Sequence, residues 1–489
     1  MSFKSTRGGS AISASAAILR GIAPNGGLYV PEELPLLKKE EILALASLPY
    51  ANRAAKVLSL ILDDYSEEEL LGYAEKAYAS FSVPEVTPIR RLKDNTFVLE
   101  LFHGPTMAFK DMALQMLPHL LRAAARKQGE TREIAILTAT SGDTGKAALE
   151  GFRDVEGTSC TVFYPLGGVS RVQEKQMLSS RGNNVHVIGV HGNFDDAQTG
   201  VKALFTSPEF ISRMNADGRV LSSANSINLG RLVPQVAYYI SAAAELMKQG
   251  IPSFSVCVPT GNFGNILAAW YAKKMGAPID RLICASNSND VLTEFIRTGR
   301  YNAKRPFMLT ASPSMDILIS SNLERLVYEL VGNDSEVLTD LMKQLKENGE
   351  YTLPADAFAA LRKTFACGCA DDAETFSQIS LCHQENGYVE DTHTAVAGSV
   401  LAKWRVAEKE YGPVLLVSTA SPFKFAPAVC EALKLEKDEN AFDSVRRLSA
   451  AAGLPVPAPM DGLEEAPVLH SITCEKDGME QAIFRAFEK

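Results

Sequence analysis

From Pro88 onward, short β-rich runs alternate with helical ones, and no other pattern in the 489 residues restricts the fold as strongly. The β-type runs cover residues 96–101, 134–138, 161–164, 185–190, 253–258, 282–285 and 414–417. Helical periodicity fills 108–127, 144–152, 171–179, 195–205, 231–248 and 265–274. Strands separated by helices cannot be joined as hairpins, so this order demands parallel pairing with helices on both faces. The expectation is an α/β protein with open parallel sheets. Ligands bind such sheets beyond the carboxyl ends of the strands, which directs the search for chemistry to the loops that follow strands.

The flanks read differently. Residues 2–91 are mostly helical around a turn-rich segment, 23–31; residues 322–410 are again mainly helical; the chain after Lys434 is charged, Pro-dotted and ends in a short helix. The expected division is a helical N-terminal domain, 1–92, an α/β region, 93–433, with a helical insertion at about 320–410, and a C-terminal segment, 434–489. Hydrophobic residues make up 46% and charged ones 22%, a globular balance that excludes disorder as the main character. With 49 basic and 58 acidic residues, a net charge of −9 and no Lys/Arg-rich run, no nucleic-acid partner is expected.

Eight scattered cysteines read as reduced core thiols of a cytoplasmic protein. The uncharged stretch 251–272 is too broken by Pro252, Pro259, Gly261 and Gly264 to be a membrane span, so no membrane partner is expected. Lys4 and Arg7 before an Ala/Ser-rich stretch imitate a signal peptide, but Gly8, Gly9 and the early Arg20 argue against one. Cys367-Gly368-Cys369 with Cys382-His383 fits no common zinc spacing, and no metal is expected. Oligomeric state is not legible.

Four features carry chemistry. Lys110 and Asp111 are the only charged residues between Leu101 and Leu121, at the start of a helix apolar almost all round. A desolvated ammonium there has a lowered pKa, the setting of a Schiff-base lysine; a Lys110–Asp111 pair reaching the surface is the alternative. Gly261-Asn262-Phe263-Gly264-Asn265 follows a strand and opens a helix, so its amides suit a phosphate or make an ordinary turn. Thr140-Ser141-Gly142-Asp143-Thr144-Gly145 likewise opens a helix and suits a substrate carboxylate, or simple capping. Ser418-Thr419-Ala420-Ser421-Pro422 follows the strand 414–417, and a hydroxyl at a strand end can bond a heteroaromatic nitrogen without forcing it to be charged. Lysine, amide cradle, carboxylate loop and hydroxyl are the parts of a pyridoxal phosphate enzyme.

The segment Phe102-His103-Gly104-Pro105-Thr106-Met107-Ala108-Phe109-Lys110-Asp111 resembles the cofactor-lysine motif of the threonine synthase family. Further likenesses are Ser5-Thr6-Arg7-Gly8, residues 21–31, Thr138 to Gly145, Asn225-Ser226-Ile227-Asn228 with Arg231, and Pro259 to Asn265, so the resemblance runs from Ser5 to Phe425. Two places depart from it. The family's Asp-Pro-His-Thr-Ala reads Asp391-Thr392-His393-Thr394-Ala395 here, and its Ser-Thr-Ala-His-Pro-Ala-Lys-Phe has Ser421 and Phe423 substituted, while Thr419 keeps its place. The missing histidine bears on any proton-transfer role at Ser421, not on the pyridine contact.

The resemblance implies fold-type II, with two α/β subdomains enclosing pyridoxal 5'-phosphate, and conversion of O-phospho-L-homoserine and water to L-threonine and phosphate. It implies that Lys110 binds the cofactor and then takes the Cα proton, with Gly261, Asn262, Phe263, Gly264, Asn265 and Thr419 around the cofactor. Substrate would meet Ser141, Gly142, Asp143 and Thr144 through its carboxylate, and Asn228, Arg231 or Lys146 through its phosphate. His103 is expected to orient the lysine loop. A phospho-lyase releasing a 2-oxo acid, or a non-catalytic cofactor-binding homologue, are the other readings.

Overall fold

The computed structural model describes residues 1–140, 142–436 and 440–488. Its central sheet has six strands in the order Phe365–Cys369, Ile279–Ser286, Phe254–Pro259, Val414–Ser418, Thr96–Glu100 and Ile89–Arg91. The first five are parallel and the last is antiparallel to its neighbour. Every residue of Phe254–Pro259, Val414–Ser418 and Thr96–Glu100 is buried, as helices on both faces require. A second sheet has five strands, all parallel, in the order Ile472–Cys474, Val185–Val190, Thr158–Pro165, Glu133–Ala139 and Arg219–Ser222.

The register of the central sheet decides where chemistry can gather. Its three adjacent strands Phe254–Pro259, Val414–Ser418 and Thr96–Glu100 run the same way, so the loops after them leave side by side. These loops carry Gly261, Thr419 and Lys110. The loop of Ser141 and Asp143 follows Glu133–Ala139, an interior strand of the second sheet.

The fold differs from the sequence expectation in several places. The stretch 322–410 is not only helical, because Phe365–Cys369 forms the edge strand of the central sheet, with Cys367 opposite Cys284. That strand follows the helix Ala355–Thr364 with no turn signal between them, so periodicity carries straight across the boundary. The expected helix 108–127 is two, Lys110–Leu114 and Leu117–Lys127. Pro118 sits in the first turn of the second, where its missing N–H costs nothing; farther inside a helix it would break the ladder. Arg219–Ser222 and Ile472–Cys474, unanticipated, close the two edges of the second sheet, the latter drawn from the C-terminal segment.

The N-terminal helices share a continuous core with the rest. Tyr65 and Tyr78 donate hydrogen bonds of 3.0 Å to the carbonyls of Leu120 and Met112, and Arg53 pairs with Glu245 on the long helix Leu229–Lys248. Strand Ile89–Arg91, before residue 92, already belongs to the central sheet. No helix among the described residues is long and apolar enough to cross a membrane; the stretch 251–272 becomes strand Phe254–Pro259, a loop and most of helix Gly264–Lys274.

The short helix Lys110–Leu114 touches helix Asp143–Phe152 so closely that a Cβ on Gly151 would lie 2.1 Å from the Leu114 carbonyl oxygen. Since that obstacle is backbone, Gly151→Ala forces the two helices apart. The expected outcome is a loss of about 1–3 kcal/mol in stability, read from the urea midpoint.

Candidate active site

Lys110 is the first residue of its helix, and its side chain is 14% exposed. It does not pair with Asp111. The Asp111 carboxylate is buried and accepts from the Thr106 amide at 2.8 Å and the Thr106 hydroxyl at 2.6 Å, closing the loop that delivers Lys110. Gly104 makes room, since a Cβ there would lie 2.5 Å from that carboxylate. Burial pushes the Asp111 carboxyl up to about 6. The Lys110 ammonium faces Asp143 at 3.5 Å and the Ser314 hydroxyl at 3.3 Å. Its pKa is lowered, first by burial and then by Lys424 and Arg231, against the opposing pull of Asp143. The surface-pair alternative is therefore excluded.

The loop after Val414–Ser418 lies directly against the lysine loop. The Phe109 amide donates to the Thr419 carbonyl at 2.8 Å, the Ser421 amide donates to the Met107 carbonyl at 3.0 Å, and Ala108 and Ala420 form an antiparallel bridge. Thr419 is buried, and its hydroxyl has no hydrogen-bond partner among the described residues. His103 bonds Glu100 at 2.8 Å and stacks on Phe102, so it braces the loop from outside.

The segment Gly261 to Asn265 reverses the chain into helix Gly264–Lys274, with Phe263 at φ 64°. The backbone amides from Gly261 to Asn265 have no acceptor among the described residues. A Cβ on Gly261 would lie 2.7 Å from the Ser314 carbonyl oxygen. The Phe263 ring packs into the core near Phe365, so only its backbone belongs to the cradle. Asn265 uses its side-chain carbonyl oxygen to accept from Tyr238 and Tyr239, and its buried amide nitrogen has no partner among the described residues. Asn262 is held by Asn322, whose amide and side chain both donate to the Asn262 carbonyl at 3.1 Å. A row of amide donors at a helix N-terminus, together with an orphaned buried N–H group, is the donor set that a phosphate needs.

The loop opened by Thr140 is organised differently from expectation. The Thr140 hydroxyl accepts from the amides of Gly142 and Gly145, each at 2.9 Å, and Gly142 sits at φ 139°. Thr144 is half-buried, and Ser141 lies outside the described residues. Asp143 does not line a carboxylate cradle; it is a buried anion turned to Lys110 and Lys424. Burial alone would raise its pKa, but Lys424 and Lys110 outweigh it and hold the carboxyl well below its usual range.

Asn228 is corrected as well. Its side chain caps the helix Leu229–Lys248 by accepting from the Gly230 amide at 2.8 Å and donates to the Ile18 carbonyl at 3.0 Å, so it serves the scaffold. Lys146 likewise is taken up by Glu150 and Ser180. Arg231 remains. It is buried, donates one guanidinium nitrogen to the Ala224 carbonyl at 2.8 Å, leaves its Nε without a partner and has no carboxylate beside it among the described residues. Burial pushes its pKa down to about 10. A buried guanidinium without a counter-ion suits an anionic ligand.

Sequence reading missed four contributors. Lys424 is fully buried, 3.1 Å from Asp143, and donates to the Thr106 carbonyl at 2.8 Å. Ser314 donates its hydroxyl to Asp143 at 2.9 Å, and its amide donates to His393 Nε2 at 3.1 Å. His393 Nδ1 in turn bonds Asp391 at 3.0 Å, which makes the imidazole an acceptor toward Ser314. The Lys424 and His393 positions lie inside motifs quoted above, but nothing local assigns them a direction. Ser314 sits in the irregular, hydroxyl-rich stretch after Thr310, whose only sequence signal is the absence of periodicity.

Comparison with known proteins follows the same outline. The family model for the threonine synthase N terminus matches residues 2–78, and that for pyridoxal-phosphate dependent enzymes matches residues 83–419. Threonine synthase of Pseudomonas aeruginosa is 39% identical over 433 residues, 88% of this chain and 90% of its own. The chain belongs to the threonine synthase family. Human threonine synthase-like 1 is 41% identical over 457 residues, 90% of this chain, and the chain covers only 61% of that protein's length. The PLP-bound threonine synthase from Brucella melitensis matches across 100% of both chains with a TM-score of 0.89 at 36% identity.

Set in this fold, the departures from the threonine synthase pattern prove mild for the backbone. Thr392 is the first residue of helix Thr392–Glu408, a position where proline is tolerated because the amide needs no partner. The Asp391 cap still accepts from the amides of His393 and Thr394. Beside it, burial pushes Glu390 up to about 8, with one oxygen bonded to Gln378 and the other without a hydrogen bond among the described residues. Between its ordinary 4.5 and about 8 the folded chain therefore carries a proton that the unfolded chain lacks, so this group's contribution to stability falls as pH rises through that window. Glu390→Gln removes the dependence. The expected result is a gain on the order of 2 kcal/mol at pH 7 and little change at pH 5, read from urea midpoints at the two pH values.

Proposed function

We propose that the chain is a pyridoxal 5'-phosphate-dependent threonine synthase, converting O-phospho-L-homoserine and water to L-threonine and phosphate. The observation that carries this reading is the buried Lys110 amine placed among three loops, one of which offers five amides without an acceptor among the described residues. Bound there, the cofactor supplies the electron sink that lets protons leave Cα and Cβ of the substrate.

The chain's own residues do the rest. Lys110 would hold the cofactor through its aldehyde, and its free, neutral amine would be the base for the Cα proton. The amides of Gly261, Asn262, Phe263, Gly264 and Asn265 hold the cofactor's phosphate. The Thr419 hydroxyl serves the ring nitrogen without demanding that it be protonated. Arg231 takes the phosphate of the substrate, because a departing dianion needs a cation that no carboxylate has already neutralised. Gly142 and Thr144, at the start of helix Asp143–Phe152, meet the substrate carboxylate. A reducing, cytoplasmic setting suits the eight scattered, mostly buried cysteines.

Two measurements test this. Borohydride treatment of purified protein should fix the cofactor to the peptide containing Lys110, and Lys110→Ala should lose both that adduct and turnover. With O-phospho-L-homoserine, threonine and phosphate should appear in equal amounts. Release of 2-oxobutyrate, phosphate and ammonia would instead identify a phospho-lyase, and an adduct without any phosphate release a non-catalytic cofactor-binding homologue. In addition, Gly261→Val should weaken cofactor affinity by about tenfold or more, since a branched side chain meets the Ser314 carbonyl; titration of the visible band checks it.

A further inference from the structure

We propose that Lys424 is a positioning residue that keeps the Lys110 amine neutral by claiming the Asp143 carboxylate as its own counter-ion. The inference rests on the reading of Lys110 as the reactive amine.

The geometry is unequal. Lys424 lies on the 3-10 turn Pro422–Phe425, with its side chain 0% exposed. Its Nζ is 3.1 Å from Asp143 Oδ1 and donates to the Thr106 carbonyl at 2.8 Å. Lys110 stands farther from the same carboxylate, 3.5 Å from Oδ2, and its other contact is a 3.3 Å bond to the Ser314 hydroxyl. Asp143 is already well supplied, since Gln173 donates to Oδ1 and Ser314 to Oδ2, each at 2.9 Å.

One carboxylate cannot neutralise two buried ammoniums. The carboxylate serves first the amine with the closer anion contact and a carbonyl acceptor beside it, which is Lys424. The groups around this cluster favour the same outcome. Arg231 is a second buried cation that lowers the Lys110 pKa, and His393 presents Nε2 to the Ser314 amide as an acceptor while its Nδ1 bonds Asp391. The enzyme needs a neutral amine at Lys110 twice: to attack the cofactor's aldehyde, and to take the Cα proton. A charged neighbour held in place by a shared anion serves both.

The test is competitive acylation of Lys110 by acetic anhydride across pH, in the full chain with cofactor removed, read by peptide mass. Lys424→Met should raise the apparent pKa of Lys110 by about one unit, so that the midpoint of its labelling curve moves up by about one pH unit, because it removes a repelling charge and frees Asp143. Lys424→Arg should keep the wild-type profile. Asp143→Asn should shift Lys110 downward. Opposite shifts in the two charge-removing variants exclude simple unfolding, which would move both toward an ordinary lysine. An unchanged profile in Lys424→Met, or shifts of the same sign, would overturn the proposal. Neither substrate nor cofactor enters the assay, so its failure leaves threonine formation untouched, and a chain that makes no threonine can still pass it.

Discussion

The site depends on one buried carboxylate. Asp143 accepts hydrogen bonds from Ser314 and Gln173, pairs with Lys424 and faces Lys110, and it reaches that position from the second sheet, whereas both lysines come from loops of the central sheet. It is thus an electrostatic joint between the two halves of the α/β region. Ions buried in a low-dielectric interior are costly unless paired and hydrogen-bonded, and here two cations, Lys424 and Arg231, and the Lys110 amine gather near the Asp143 carboxylate. The local surplus of positive charge sits inside a chain of net charge −9. Binding of an anionic ligand is therefore decided by these few groups and not by the overall field.

Parallel topology makes the gathering possible. Strands that run the same way and lie next to each other must release their loops at one edge, so the cradle, the Thr419 loop and the lysine loop meet without long excursions. Glycine then sets how closely they meet. Gly261 lets the cradle pass under the Ser314 carbonyl, Gly104 admits the Asp111 carboxylate that ties down the lysine loop, and Gly151 brings the helix of Asp143 against the helix of Lys110. Each of these approaches is closer than any Cβ permits. The N-terminal helices belong to the same construction, because the start of helix Leu229–Lys248, which carries Arg231, is capped by Asn228 and held through it to the Ile18 carbonyl.

Legibility in the sequence followed the range of each interaction. The alternation of strands and helices, the two loops that open helices, and an isolated lysine in an apolar segment are all local signals, and the resemblance to threonine synthases rested on contiguous motifs. What failed was either short or long-range. Phe365–Cys369 is a five-residue strand joined directly to a helix, and Ile472–Cys474 becomes a strand only because Val185–Val190 offers it an edge. Asn228 and Lys146 have the right chemistry for a phosphate, yet the hydrogen bonds that occupy them come from Gly230, Ile18, Glu150 and Ser180.

By itself the sequence determined the α/β class, the loops where chemistry sits and the identity of Lys110 as the amine to watch. These follow from periodicity, from glycine at a strand-to-helix turn and from the low frequency of charge in an apolar helix. Only the tertiary structure decided which charges face one another: that Asp111 turns to Thr106 and not to Lys110, that Asp143 serves two lysines, that Arg231 has no anion beside it among the described residues, and that His393 and Ser314 close the ring. Coulomb and hydrogen-bond terms depend on distances between residues far apart in the chain, such as Ser314 and Asp143, and no local pattern encodes those distances.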